Sequence, residues 1–88
     1  MFEIELTAEA ERQYRSLDDR MARRINRAID ALAENPLFGP NIIKLRGQYS
    51  GLYRYRVGSY RIIYSVDVKE RIVTIRSIIR RSRAYRRL

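Results

Sequence analysis

Seventeen of the nineteen basic residues in this chain are arginine, and most of them are in its second half. Arginine grips phosphate with two parallel hydrogen bonds and stacks on flat rings, whereas lysine offers a mobile point charge. Arg54, Arg56 and Arg61 alternate with apolar residues, and Lys44 and Arg46 precede them. The chain closes on Arg80-Arg81-Ser82-Arg83-Ala84-Tyr85-Arg86-Arg87, and six of the seven tyrosines lie beyond residue 40. Arginine with tyrosine can bind and polarise phosphate and can stack bases. Other chemistries are poorly provided for. There is no histidine, which removes the base of a serine triad, and no cysteine for a thiolate metal site or a disulfide. No glycine pattern matches a phosphate loop or a dinucleotide fold. No metal or other cofactor is expected.

The charge is uneven. Residues 1–40 carry six basic and eight acidic side chains, a net of −2. Residues 41–88 carry thirteen basic and two acidic ones, Asp67 and Glu70, a net of +11, which brings the whole chain to +9. A half this basic implies a polyanionic partner. A solvated face is the plainer explanation, but lysine and glutamate would normally serve it. No apolar run approaches the ~20 residues that span a bilayer, and the alternating, acid-bearing start is unlike a signal peptide. A cytoplasmic protein is expected.

Eighty-eight residues with 45% apolar content predict one domain spanning 1–88, without repeats or linkers. Phe2, Ile4 and Leu6 alternate with Glu3 and Glu5, which predicts a half-buried strand. Thr7 offers a helix N-cap, and Ala10, Tyr14 and Leu17 share one face of a short helix. Asp18 or Asp19 starts a second helix with the apolar stripe Met21, Ile25, Ala28, Ile29 and Leu32. Arg20, Arg23, Arg24, Arg27 and Glu34 fall on its wet side, and Asn35-Pro36 ends it. Residues 36–51 are loop-rich, with a short strand over Ile42 to Arg46. Leu52 to Val57, Tyr60 to Val66 and Arg71 to Ile79 read as strands. The prediction is an α+β fold, an antiparallel sheet of about four strands with two N-terminal helices on one face.

Gly58-Ser59 separates two of those strands, and glycine first suits a type II′ turn. The turn pairs Val57 with Tyr60, Arg56 with Arg61, Tyr55 with Ile62, Arg54 with Ile63 and Tyr53 with Tyr64. Side chains alternate between faces. Tyr53, Tyr55, Val57, Tyr60, Ile62, Tyr64 and Val66 then form the core face, and Arg54, Arg56 and Arg61 the other. A four-residue loop, Asp67 to Glu70, sets Arg76 opposite Arg61 on the arginine face. Strict alternation from Ile72 puts Arg81 on the core side, so a bulge or the strand's end must redirect it. Tyr85, amid arginines, is expected to be exposed for base stacking; anchoring the chain end is the rival role.

The string Lys44-Leu45-Arg46-Gly47, the hairpin Leu52 to Tyr64 and the ending Ile79-Arg80-Arg81-Ser82-Arg83-Ala84-Tyr85 resemble the RelE branch of the RelE/ParE toxin superfamily. The resemblance covers nearly the whole chain and its strand–helix–helix–strands order. It implies the toxin of a type II toxin–antitoxin pair, a metal-independent endoribonuclease that cuts messenger RNA in the ribosomal A site and is neutralised by a cognate antitoxin. In that frame Arg61 stabilises the phosphate in the transition state, and Arg81 serves as general acid or assists the leaving group. Tyr85 stacks on the RNA, and Arg54 and Arg56 are the basic pair of the preceding strand. Lys44 and Arg46 face ribosomal RNA. Apart from the resemblance, the register of Arg76 and the basic ending with Arg80 and Arg83 make these three expected RNA or ribosome contacts. Some relatives carry lysine where Arg54 and Arg56 stand; others use a glutamate and a histidine that this basic surface lacks. Two rivals share the composition: a ParE-like gyrase inhibitor and a non-catalytic RNA-binding module.

Overall fold

The structure, a computed structural model, describes residues 1–83. The order is β1 (Glu3–Leu6), α1 (Ala8–Arg15), α2 (Asp19–Glu34), β2 (Ile42–Lys44), a 3-10 turn (Gly47–Tyr49), β3 (Leu52–Val57), β4 (Tyr60–Asp67) and β5 (Ile72–Arg80). Local chemistry sets the helix ends. The Thr7 hydroxyl accepts from the Ala10 N–H, and the Asp18 carboxylate accepts from the Met21 N–H. Both satisfy donors that the first helical turn leaves without a partner.

The sheet has five strands in the order β1-β5-β4-β3-β2. The α+β class is as expected, with one strand more than the four estimated: the short strand read over Ile42 to Arg46 forms at Ile42–Lys44 and joins the sheet, pairing with Tyr53–Tyr55 along the edge. One pair departs from the antiparallel rule: β1 lies parallel to β5, with Glu3 opposite Ile72 and Leu6 opposite Ile75. Almost the whole chain separates those two strands, so no turn signal announces their pairing.

Ala10, Ile25, Ala28 and Leu32 of the helices meet Val57, Ile62, Tyr64, Val73, Ile75 and Ile78 of the sheet in one core. Tyr64 is fully buried, stacks on Tyr53 at 5.4 Å and donates its hydroxyl to the Pro36 carbonyl at 2.7 Å. That bond ties the loop after α2 to the middle of the sheet. Burial pushes the Tyr64 phenol above its ordinary pKa, and Tyr53 and Tyr55 add to the shift.

The β3–β4 register is the one the turn dictates, pair by pair from Val57–Tyr60 to Tyr53–Tyr64. Gly58 has φ 57°, and among the described residues Arg71 is the non-glycine with positive φ. Positive φ at the first turn position and not at Ser59 is the type II′ pattern.

The β4–β5 register differs from the expectation, and with it the place of Arg76. Asp67 pairs with Ile72, so the loop covers residues 68–71 in place of Asp67 to Glu70, which already shifts the register, and the Asp67 carboxylate accepts from the Glu70 N–H. Arg71 takes a left-handed conformation there. A bulge then falls between Ile63–Ser77 and Tyr64–Ile75, leaving Arg76 as the extra residue. Ile79, not Arg76, therefore faces Arg61. The same bulge inverts the alternation that follows it. Ile75 and Ile78 both reach the core, and Arg81 acquires the parity of Ile79, away from the helices.

Candidate functional site

The tip of the β3–β4 hairpin carries an open depression of about 460 Å³ on the face away from the helices. Arg54, Arg56, Arg61 and Arg81 line it, with Pro40, Asn41, Ile43 and the Gly58–Ser59 turn. Three routes bring the four cations together. Arg54 and Arg56 are alternate residues of β3, Arg61 is the cross-strand partner of Arg56, and Arg81 arrives on the inverted end of β5. The Arg81 N–H donates to the Ser59 carbonyl at 2.7 Å, which fastens the start of the closing segment to the turn.

The four are not equivalent. Arg61 is 7% exposed, and its Nη1 donates to the carbonyls of Gly58 at 2.9 Å and Tyr60 at 2.8 Å. Ile63 and Ile79, both buried, share its side of the sheet. Arg61 is thus a fixed guanidinium braced against the turn in apolar surroundings, where its field is weakly screened. Arg56 and Arg81 are exposed and can adjust to a ligand; Arg54 is half-buried. Like charges directly across strands, as in Arg56–Arg61, oppose folding. A bound anion offsets that repulsion. Asp67, the last residue of β4, and Glu70 in the loop after it are the two carboxylates of the basic half; they lie at the far end of β4 and do not line the depression.

The other site candidates lie elsewhere. Arg76 donates from Nε to the Ser65 hydroxyl at 3.2 Å, four residues along β4 from Arg61 and roughly 13 Å away at strand spacing. Arg80 stands opposite Tyr60 with its guanidinium 5.2 Å from that ring, on the helix side of the sheet. Lys44 pairs with Tyr53 on the exposed edge strand, and Arg46 precedes the 3-10 turn. Arg83 is exposed in the helical turn at residues 81–83. Tyr85 lies outside the described residues.

Two further cations, which helical periodicity places on the wet side of α2 without any site role, border the tip. Arg24 and Arg27 sit beside the apolar stripe of α2 and line a shallow hollow with Tyr55, Arg56 and Gly58. A Cβ added to Gly58 would come within 2.8 Å of both terminal nitrogens of Arg24. The bare glycine thus leaves room for that guanidinium at the turn, a contact with no counterpart in helical periodicity. Among the described residues no helix is long and apolar enough to cross a membrane.

Residues 4–85 match the family described as ParE toxin of type II toxin-antitoxin systems. A protein assigned as toxin RelE1 in Methanocaldococcus jannaschii is 30% identical over 87 residues, covering 97% of this chain and 96% of its own. The toxin–antitoxin complex RelBE2 of Mycobacterium tuberculosis contains a chain that superposes with TM-score 0.80 at 26% identity, over 91% of this chain and 98% of that one. The RelE–RelB complex of the archaeon Pyrococcus horikoshii contains one at TM-score 0.78 and 31% identity, over 93% and 97%.

Proposed function

The chain belongs to the ParE toxin family of type II toxin–antitoxin systems, and from that premise we propose that it acts by cutting messenger RNA in the ribosomal A site. The observation that carries this reading is the convergence of Arg54, Arg56, Arg61 and Arg81 on one open depression. Four guanidiniums at a single hollow suit a phosphodiester whose charge grows during reaction. In this mechanism the 2′-oxygen of a nucleotide bonds to the adjacent phosphorus, and the bond from phosphorus to the 5′-oxygen breaks. Arg61, held rigid, stabilises the added phosphoryl charge, and Arg81 stabilises the departing 5′-oxygen as it takes up a proton from solvent. Arg54 and Arg56 anchor the flanking backbone. Arginine stays protonated at any physiological pH and is a poor base, so the 2′-proton leaves to solvent or to a ribosomal group. The fragments carry a 2′,3′-cyclic phosphate and a 5′-hydroxyl. Tyr85, as the stacking partner of a base, and Lys44, Arg46, Arg76, Arg80 and Arg83, as contacts to RNA or ribosome, belong to the same proposal. So does a cytoplasmic site of action.

An antitoxin with an acidic or amphipathic segment would neutralise the protein by covering the depression; the complexes formed by its structural relatives support such a partner. If the protein from the neighbouring gene binds no better than an unrelated acidic peptide, that part is wrong.

Primer extension on a reporter message in a translating extract tests the activity. Arg81→Ala, an exposed change, is expected to remove the ribosome-dependent cuts while leaving the melting temperature unaltered. Cuts of wild-type strength from that variant would sink the assignment. The family match also favours a second reading, gyrase inhibition. Intact messages together with DNA damage in intoxicated cells would establish it instead.

A further inference from the structure

We propose that Arg24 and Arg27 of α2, with Arg56 of β3, form a second phosphate subsite that holds the RNA strand where it leaves the arginine depression. The inference rests on the RNA reading above. The hollow they line, about 370 Å³, opens on the helix side of the hairpin tip. It shares Asn41, Arg56 and Gly58 with the depression on the other side. The two are therefore neighbours across the sheet edge, and the exposed Arg56 reaches both. A strand bound over the tip passes from one to the other without leaving a cationic surface.

The helix itself argues for an anion here. Arg20, Arg23, Arg24 and Arg27 stand three or four residues apart on α2. Like charges at those spacings destabilise a helix by about 0.2–0.5 kcal/mol per pair. Asp19 and Asp30 stand at the same spacings from Arg23 and Arg27, but among the described residues no salt bridge is formed by Arg24, Arg27 or Arg56. Arg20 and Arg23 are exposed and line neither hollow. Arg24 is half-buried, folded over the turn at the Gly58 backbone. A guanidinium laid against a β-turn, with Arg27 three residues along the same helix, presents two forks towards one place. Backbone phosphate is the ligand chemistry that matches them.

The test uses single-stranded RNA, methylated at every 2′-oxygen so that it binds without being cut, in a ladder lengthened one nucleotide at a time. Affinity is measured against salt for the wild type, R24Q/R27Q, R27Q alone, R20Q/R23Q and R81Q. Each phosphate contact on a single strand adds about 0.7 to the slope of log affinity against log salt. R24Q/R27Q is expected to lower that slope by about 0.7 on long RNA, one phosphate contact, and to leave the shortest bound RNA unaffected. R27Q, which leaves the Arg24–turn contact in place, is expected to give a smaller change. R20Q/R23Q removes the same charge from the same helix and is expected to leave both measurements near wild type.

An equal effect from R20Q/R23Q would mean a diffuse helix field and overturn the subsite. So would wild-type binding by R24Q/R27Q; if R81Q still weakens binding in that case, the depression reading survives alone. Loss on every length with R24Q/R27Q and none with R81Q would overturn the depression as the RNA site, and the second subsite with it.

Discussion

Arg61 and Arg81 differ in what their removal does. Arg61→Ala strips a donor from two turn carbonyls and empties a buried position. It is expected to cost about 1–3 kcal/mol, visible as a lower melting temperature alongside lost activity. Arg61→Lys keeps charge but not the fork, so activity is expected to fall with a smaller thermal shift. Tyr64→Phe isolates the buried hydroxyl and leaves the Pro36 carbonyl short of its donor. About 1–2 kcal/mol is expected to be lost with cleavage intact, measured by urea unfolding and by the primer-extension assay. Tyr64 also sets an alkaline limit. Its folded pKa is raised, so its contribution is fully present below the unfolded value near 10 and is lost as the pH climbs above it. The wild type is expected to lose stability there, and Tyr64→Phe to lose less. Residue type alone points to the cationic chemistry. It cannot distinguish a braced arginine from a mobile one, because that depends on which carbonyls lie within reach. Arg24 is hidden for a related reason, since only the folded turn shows that Gly58 makes room for it.

At the scale of elements, legibility follows the strength of the local signal. A two-residue turn beginning with glycine has few geometries, and it is enough to dictate the cross-strand pairs of β3 and β4. Thr7 and Asp18 announce both helix starts in the same way. The β4–β5 connection carries no comparable signal. Arg71 is an uncommon residue for a left-handed conformation, and nothing in Thr74-Ile75-Arg76-Ser77 marks a bulge. Simple alternation misplaces Arg76 as a result, while Arg81 needs that same irregularity to reach the depression. Gly58→Ala tests the turn. A side chain at φ 57° is expected to cost about 1–2 kcal/mol and to displace Arg24. The melting temperature reads the first effect, and weaker binding of long RNA the second. Deleting Arg76 removes the bulge but leaves the pairs from Ile63–Ser77 to Tyr60–Arg80 in place, so Arg81 is expected to keep its position at the depression and primer extension to show the cuts retained.

For the whole molecule, the parallel pairing of β1 with β5 is the least legible feature, because the contact spans the chain and has no turn to set it. It also governs when the protein can become complete. β5 lies between β1 and β4 and receives α1 against it, yet it is the last of the five strands in chain order. Synthesis delivers the chain from its N-terminus. Until β5 emerges, β1 has no strand beside it, the hairpin has no neighbour on its β4 side, and the stripe on α1 has nothing to cover. Arg81 enters the depression only afterwards. A nascent chain arrested after Asp67 is expected to be digested readily by protease, while the released protein resists. The order of strands thus acts as a timer: the sheet cannot close, nor Arg81 join the other three arginines, until the last of the five strands has been made.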